Sequence, residues 1–361
     1  MQRIGRRIAS TAFVAAALLQ PALAEPPKFQ VDPSWPLPLP SNWIIGTIGG
    51  ITVDAQDHIW INQRPSSLDA REKRASTASN VKCCVPAPPV IEFDQAGKVV
   101  QGWGGDGPGY KWGNDGHGIH VDHNNFVWVG DNVDTGGHIF KFTRDGKFVM
   151  RIGQPGTPTG SNDTAHLGRP ADMAVDRETN ELFVADGYGN HRVIVFDADT
   201  GAFKRTWGAF GKAPGGVDNC AIVGPKTFPE GDGLPDFNVA HAIRVANDGT
   251  VYLADRENRR VQMFGSDGKY VKQLVRTATP FARNLALSPD AEQQFLYVGG
   301  GKSIVVLDRK TLDVAGEIEV PGQIGAGHHI ATDSKGNIYI AQTTAGLQKL
   351  VFKGMSAQAA R

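Results

Sequence analysis

A short β-rich run, a polar turn and a second β-rich run recur six times along this chain, and that recurrence constrains its fold more than any other feature. Examples are Ile51-Thr-Val-Asp54 followed by His58-Ile-Trp-Ile-Asn62, and His117-Gly-Ile-His-Val-Asp122 followed by Val127-Trp-Val129. The first runs close at Asp54, Asp122, Asp176, Ala246, Ser288 and Asp333, which stand 68, 54, 70, 42 and 45 positions apart. The shortest steps match the roughly 40–50 residues of one four-stranded propeller blade, and the longer ones imply insertions. Further strands follow tight turns such as Asp145-Gly146, Asp248-Gly249 and Asp267-Gly268. With 44 glycines and 22 prolines in 361 residues, the chain is interrupted too often for long helices. The expected fold is therefore all-β, a six-bladed β-propeller. The last unit ends at Leu350-Val-Phe352 without an outer strand, while residues 28–31 read as a strand with no unit of their own. The N-terminal strand is expected to complete blade six and close the ring.

One position, five residues before each closing residue, holds Gly49, His117, Ala171, His241, Arg283 and His328 in turn. On a six-membered ring, alternate blades then carry histidine, and three imidazoles converge on the axis about 120° apart. Three neutral imidazoles on one point form a facial site for a divalent transition metal, with zinc favoured because it accepts three nitrogens and keeps an open position. A single histidine at a strand start reads as a structural residue; three in one register do not. His58, His120, His123, His138, His166 and His191 lie outside this register and read as surface, turn or packing residues. Asp131, Asp186 and Asp255 recur at strand ends and read as turn-capping residues.

The N-terminus carries Arg3, Arg6 and Arg7, an apolar run from Ala12 to Leu19, and then Ala22-Leu-Ala24. That order predicts a secretory signal over 1–24, cleavage after Ala24 and a periplasmic or secreted product. The remainder, 25–361, is expected to be a single propeller domain with insertions near 64–89 and 209–238. The full chain balances 37 basic against 37 acidic residues, and losing the three signal arginines leaves it slightly acidic. Nothing in that balance supports nucleic-acid binding, and no second apolar stretch supports membrane insertion of the mature chain. A monomer acting on a small-molecule or peptide substrate is expected. Three cysteines, Cys83, Cys84 and Cys220, allow at most one intramolecular disulfide: either the vicinal pair, which we favour, or one of that pair with Cys220.

Ala185-Asp-Gly-Tyr-Gly-Asn-His-Arg-Val193 and Ala254-Asp-Arg-Glu-Asn-Arg-Arg-Val261 resemble NHL repeats. The order of features over residues 49–352 resembles the peptidyl-α-hydroxyglycine amidating lyases, which release glyoxylate from a hydroxyglycine. The resemblance implies zinc on His117, His241 and His328, a substrate-facing arginine at Arg64 and a catalytic tyrosine at Tyr188. Arg283, in the histidine register of blade five, is a second candidate anion anchor. The resemblance also implies a calcium ion bound by the carbonyls of Ile119 and a residue near Gly50, together with an aspartate after the third histidine. Here that aspartate is His329, a poor ligand for a hard cation, so calcium is not expected. Two further departures are Ala326 for a methionine and Gly189 for a cysteine. The expected activity is a metal-dependent lyase, with a non-catalytic ligand-binding propeller as the alternative. A lactonase-like hydrolase would call for carboxylates around calcium, which the histidines argue against.

Overall fold

Each repeat unit pairs with itself into an antiparallel four-stranded sheet, because tight polar turns leave successive apolar runs no nearer partner. In the computed structural model, which describes residues 26–72, 84–133, 137–215, 234–277, 280–322, 325–344 and 346–355, six such sheets form. Blade one comprises Thr47–Val53, Ile59–Arg64, Val90–Phe93 and Val99–Trp103. Blade two comprises Gly116–Val121, Val127–Asp131, His138–Phe142 and Phe148–Ile152, and blade three Asp172–Asp176, Glu181–Asp186, Arg192–Asp197 and Phe203–Trp207. Blade four comprises Ala240–Val245, Val251–Asp255, Arg260–Phe264 and Tyr270–Val275, and blade five Asn284–Leu287, Phe295–Gly300, Ser303–Asp308 and Val314–Glu319. The expected signal segment, Cys83, Cys220 and with them the disulfide pairing lie outside the described residues, as do parts of both expected insertions.

Blade six is built from both chain ends. His329–Thr332, Ile338–Gln342 and Gly346–Met355 are completed by the N-terminal strand Pro27–Asp32, which pairs antiparallel with the last strand in the register Phe29↔Phe352 and Val31↔Leu350. The last strand runs on to Met355, beyond the Phe352 read from the pattern. The first strand of every blade lies innermost and touches the first strands of both neighbours, with blade six returning to blade one. Second strands such as Glu181–Asp186 are buried along their whole length, whereas the outer strand Phe203–Trp207 exposes its first two residues. Second strands are covered on both faces by adjacent blades, so runs such as Leu182-Phe-Val-Ala185 and Val251-Tyr-Leu-Ala254 are continuously apolar instead of alternating.

The core is distributed around the ring. Six apolar clusters lie one at each blade interface, for example Trp60, Val129 and Phe142 between blades one and two, and Phe183, Trp207 and Phe264 between blades three and four. A repeated device fixes the innermost hairpins. Asp54 accepts from the backbone N–H of Gln56 and His58 and from Trp60 Nε1, and Asp122 accepts from Asn124, Phe126 and Trp128 Nε1 at the same offsets. Asp333 repeats the pattern, with Tyr339 Oη in place of the indole. In each, a buried carboxylate satisfies the turn and orients a large ring on the second strand.

Candidate metal centre

First strands that meet at the axis leave little room between backbones. A Cβ at Gly49 would stand 2.0 Å from the Gly116 carbonyl oxygen, so blade one can present only a backbone group there. The chain enters these strands through residues in left-handed conformation: Arg169 (φ 64°), Val239 (φ 62°), Ala282 (φ 56°) and Gly327 (φ 74°) stand one or two positions before the shared register position. Sheet register also shifts between Gly116 and Ile119 and between Ala240 and Ala242. Such bulges re-aim a side chain out of the regular alternation, and here they aim His117 and His241 down the axis.

The six register positions interlock in pairs. His117 Nδ1 donates to the Ala171 carbonyl at 2.6 Å, His241 Nδ1 to the Arg283 carbonyl at 2.6 Å, and His328 Nδ1 to the Gly49 carbonyl at 2.9 Å. Each histidine is thus held by the backbone of the same position on the next blade. A carbonyl can only accept, so the proton sits on Nδ1 and every Nε2 presents a lone pair. Nε2 of His241 and of His328 are 3.2 Å apart, and the three ring centroids are separated by 4.7–5.2 Å. All three rings are buried, and burial first, then the neighbouring imidazoles and arginines, holds their pKa values well below the usual 6.5. Neutral rings with facing lone pairs repel one another unless a cation or proton donor lies between them.

Tyr188 stands over this cluster. It lies in the turn after Glu181–Asp186, and its Oη is 3.1 Å from His117 Nε2 and 3.0 Å from His241 Nε2. Arg256 donates to the same oxygen at 2.7 Å while its Nε holds Glu257 at 2.7 Å. Burial pushes the phenol above its ordinary pKa, against the opposing pull of Arg256 and Arg64. Arg64, at the end of the second strand of blade one, donates through Nε to the Gly116 carbonyl at 2.8 Å and pairs with Asp115 at 2.6 Å. Its fractional exposure of 20% leaves it at the rim. Arg283 is half-buried beside Arg256, and burial and that like charge lower its pKa. The structure therefore gathers His117, His241, His328 and Tyr188 at one point, with Arg64 and Arg283 around it.

Two members of the site were not read from the sequence. Arg256 follows Asp255 in the turn after the second strand of blade four, where blade three places Tyr188 after Asp186; that equivalence was a signal available in the repeat. His329 was read only as a lost carboxylate. It is buried at 1% exposure, stacks on His241 with centroids 5.2 Å apart, and lies against His117 and His328. Deeper in the shaft, Arg244 pairs with Asp172 at 2.6 Å and donates to the carbonyls of Ile243 and Ile330.

The NHL repeat family matches residues 167–196, which span the Asp186-Gly-Tyr188 turn. The chain is 28% identical over 237 residues to a probable peptidyl-α-hydroxyglycine α-amidating lyase of Caenorhabditis elegans, covering 63% of this chain and 60% of that protein. It is 30% identical over 193 residues to peptidyl-glycine α-amidating monooxygenase B of Xenopus laevis, covering 52% of this chain and 19% of the frog protein. This chain is a six-bladed propeller that contains an NHL repeat and is similar to the amidating lyases. It is also 26% identical over 254 residues to mouse NHL repeat-containing protein 3, covering 67% of this chain and 58% of that protein. The chain thus spans less than two thirds of the curated relatives it matches. Among solved structures, a streptogramin B lyase superposes with a TM-score of 0.53 at 13% identity, covering 90% of this chain and 98% of that one, a likeness of fold alone.

Proposed function

We propose that this chain is an exported, metal-dependent lyase that cleaves the C–N bond of a peptidyl α-hydroxyglycine or a related small hydroxy-amide acid, releasing glyoxylate or a related acid. One observation carries the reading: three Nε2 lone pairs, each fixed by a backbone carbonyl, converge with a tyrosine hydroxyl that an arginine also holds. The donors suit zinc or another borderline divalent ion, which His117, His241 and His328 would hold. Bound there, such an ion would supply Lewis-acid polarisation of the substrate hydroxyl.

The remaining steps belong to this chain's own groups. Arg64 at the rim and Arg283, half-buried beside Arg256, offer guanidinium groups for the substrate carboxylate. Tyr188, as the phenolate that the Arg256 guanidinium at 2.7 Å favours, accepts the hydroxyl proton on Oη and becomes a phenol. As the C–O bond becomes a carbonyl, the C–N bond breaks and its electron pair leaves on the amide nitrogen. That nitrogen takes up one proton, so the amide and the aldehyde acid together account for every atom of the substrate.

Calcium does not fit the shaft. His329 offers nitrogen where the calcium implied by the resemblance would need a carboxylate.

The test is to purify the exported protein and measure its metal content together with glyoxylate release from an α-hydroxyglycine peptide. Close to one metal per chain and release abolished by chelation are expected. Stoichiometric metal with no release rejects this substrate, and a protein that takes up no metal rejects the site. The similarity to NHL repeat-containing protein 3, whose name assigns no reaction, favours a ligand-binding propeller in that last case.

A further inference from the structure

Three imidazoles complete the expected site, yet four cluster together in the shaft. His329 follows His328 directly, and its ring centroid is 4.7 Å from His328, 5.2 Å from His241 and 5.4 Å from His117. Its Nε2 is buried with no hydrogen-bond partner. A buried ring nitrogen in that state has given up hydration with no return, which native structures rarely tolerate without a ligand or water. The carbonyls nearest the cluster are already engaged: those of Ala171, Arg283 and Gly49 by the other histidines, and those of Ile243 and Ile330 by Arg244.

One ring nitrogen from each of His117, His241, His328 and His329 can be chosen so that all four lie within 4.8 Å of one another. Two nitrogens 2.0–2.1 Å from a tetrahedral zinc stand about 3.3 Å apart, and the His241 and His328 Nε2 atoms are already 3.2 Å apart. The remaining separations, none above 4.8 Å, must close by at most about 1.5 Å to bring four donors to one ion. The other grouping of ligand-type side chains among the described residues, Asp54, His58 and Glu92, differs because Arg144 fills it, pairing with Asp54 at 2.7 Å and with Glu92.

We propose that His329 is a fourth protein ligand to the ion held by His117, His241 and His328, so that this chain carries a four-imidazole centre. The proposal rests on the three-histidine reading and extends it. Four neutral nitrogens select borderline transition ions and reject calcium and magnesium. A substrate oxygen then joins as an added donor instead of filling a vacant fourth place.

The test uses the full mature chain, stripped with chelator and reloaded with one equivalent of zinc. X-ray absorption counts coordinated imidazoles, and competition with a chromophoric chelator gives the zinc affinity. Four imidazoles are expected in the wild type and three in His329→Ala, with affinity lower by about 10-fold or more. His120→Ala, which removes a shaft histidine outside the cluster, should keep four imidazoles and wild-type affinity. Circular dichroism checks each fold, and the wild-type count decides the matter even if His329→Ala does not fold. A count of three in the wild type, or a folded His329→Ala with unchanged count and affinity, overturns the fourth ligand alone. A wild type that binds no zinc overturns the fourth ligand and the three-histidine site together.

Discussion

Tyr188 and Asp131 show how burial sets the chemistry of single residues here. Tyr188 Oη contacts two imidazoles and Arg256, and removing it deletes a proton acceptor without touching a backbone bond. Tyr188→Phe should therefore retain wild-type metal content and lose glyoxylate release by about 100- to 10,000-fold in kcat; equal loss of metal would point to a structural role. Asp131 is buried, and desolvation and the nearby Asp115 charge raise its pKa to about 6 against the opposing N–H groups of Asp115 and Asn132. The folded state thus binds its proton more tightly than the unfolded chain. The stabilising contribution is present below pH 3.8 and is lost as pH rises through about 6. Asp131→Asn should accordingly leave the unfolding midpoint unchanged near pH 4 and raise stability at pH 8 by about 3 kcal/mol. Thermal scans at the two pH values check this. His138 Nε2, 3.7 Å from Asp131, stays a neutral acceptor for the new amide because burial lowers its pKa to about 3.

At the scale of a strand and its turn, the NHL signature is a buried charge clamp. Asp186 receives the Gly168 N–H, the Asn190 amide and Arg192 Nε, and Arg192 in turn donates to the carbonyls of Ser161, Asp163 and His166. Asp255, Asn258 and Arg260 repeat it one blade later. Arg192 and Asp186 are both fully buried, so Arg192→Ala would leave an uncompensated carboxylate and orphan the loop carbonyls. A loss of about 3–5 kcal/mol is expected by urea unfolding. Arg205→Ala, which breaks a more exposed pair with Glu181, should cost clearly less. In sequence the clamp shows only as Asp186-x-x-x-Asn-x-Arg192 and Asp255-x-x-Asn-x-Arg260, whose aspartates read as turn-capping residues; its carbonyl partners leave no trace there, because they are backbone groups of a preceding loop with no side-chain signature.

At the scale of the ring, closure depends on both ends of the chain meeting. Phe29 packs on Tyr297 of blade five and on Phe352, its partner across the closing strands. Phe29→Ala should lower stability by about 2 kcal/mol, below the 3–5 of a fully buried phenylalanine because Phe29 is only half-buried. It should also speed proteolytic nicking within 346–355, whose edge the N-terminal strand covers. Limited proteolysis with mass mapping tests that order of events. Removing metal, by contrast, should leave the circular dichroism of the protein unchanged, since every blade interface has its own apolar cluster.

The sequence by itself determined the blade count, the closing strand and the shared register of His117, His241 and His328, because strand periodicity and turn residues are local and repeat with the fold. Tyr188 and Arg64 were marked by the resemblance to the amidating lyases and not by the repeat itself. Only the tertiary structure decided how those groups meet. The partner of each histidine Nδ1 is a carbonyl 42 to 279 positions away, and any residue type supplies a carbonyl. Arg256 reaches Tyr188 across 68 positions, and the two are neighbours because adjacent blades turn their second strands toward one rim. His329 reads in sequence as a substitution. In the shaft it is an imidazole against three others, because the inner strands of a closed ring bring residues from blades two, four and six to one axis.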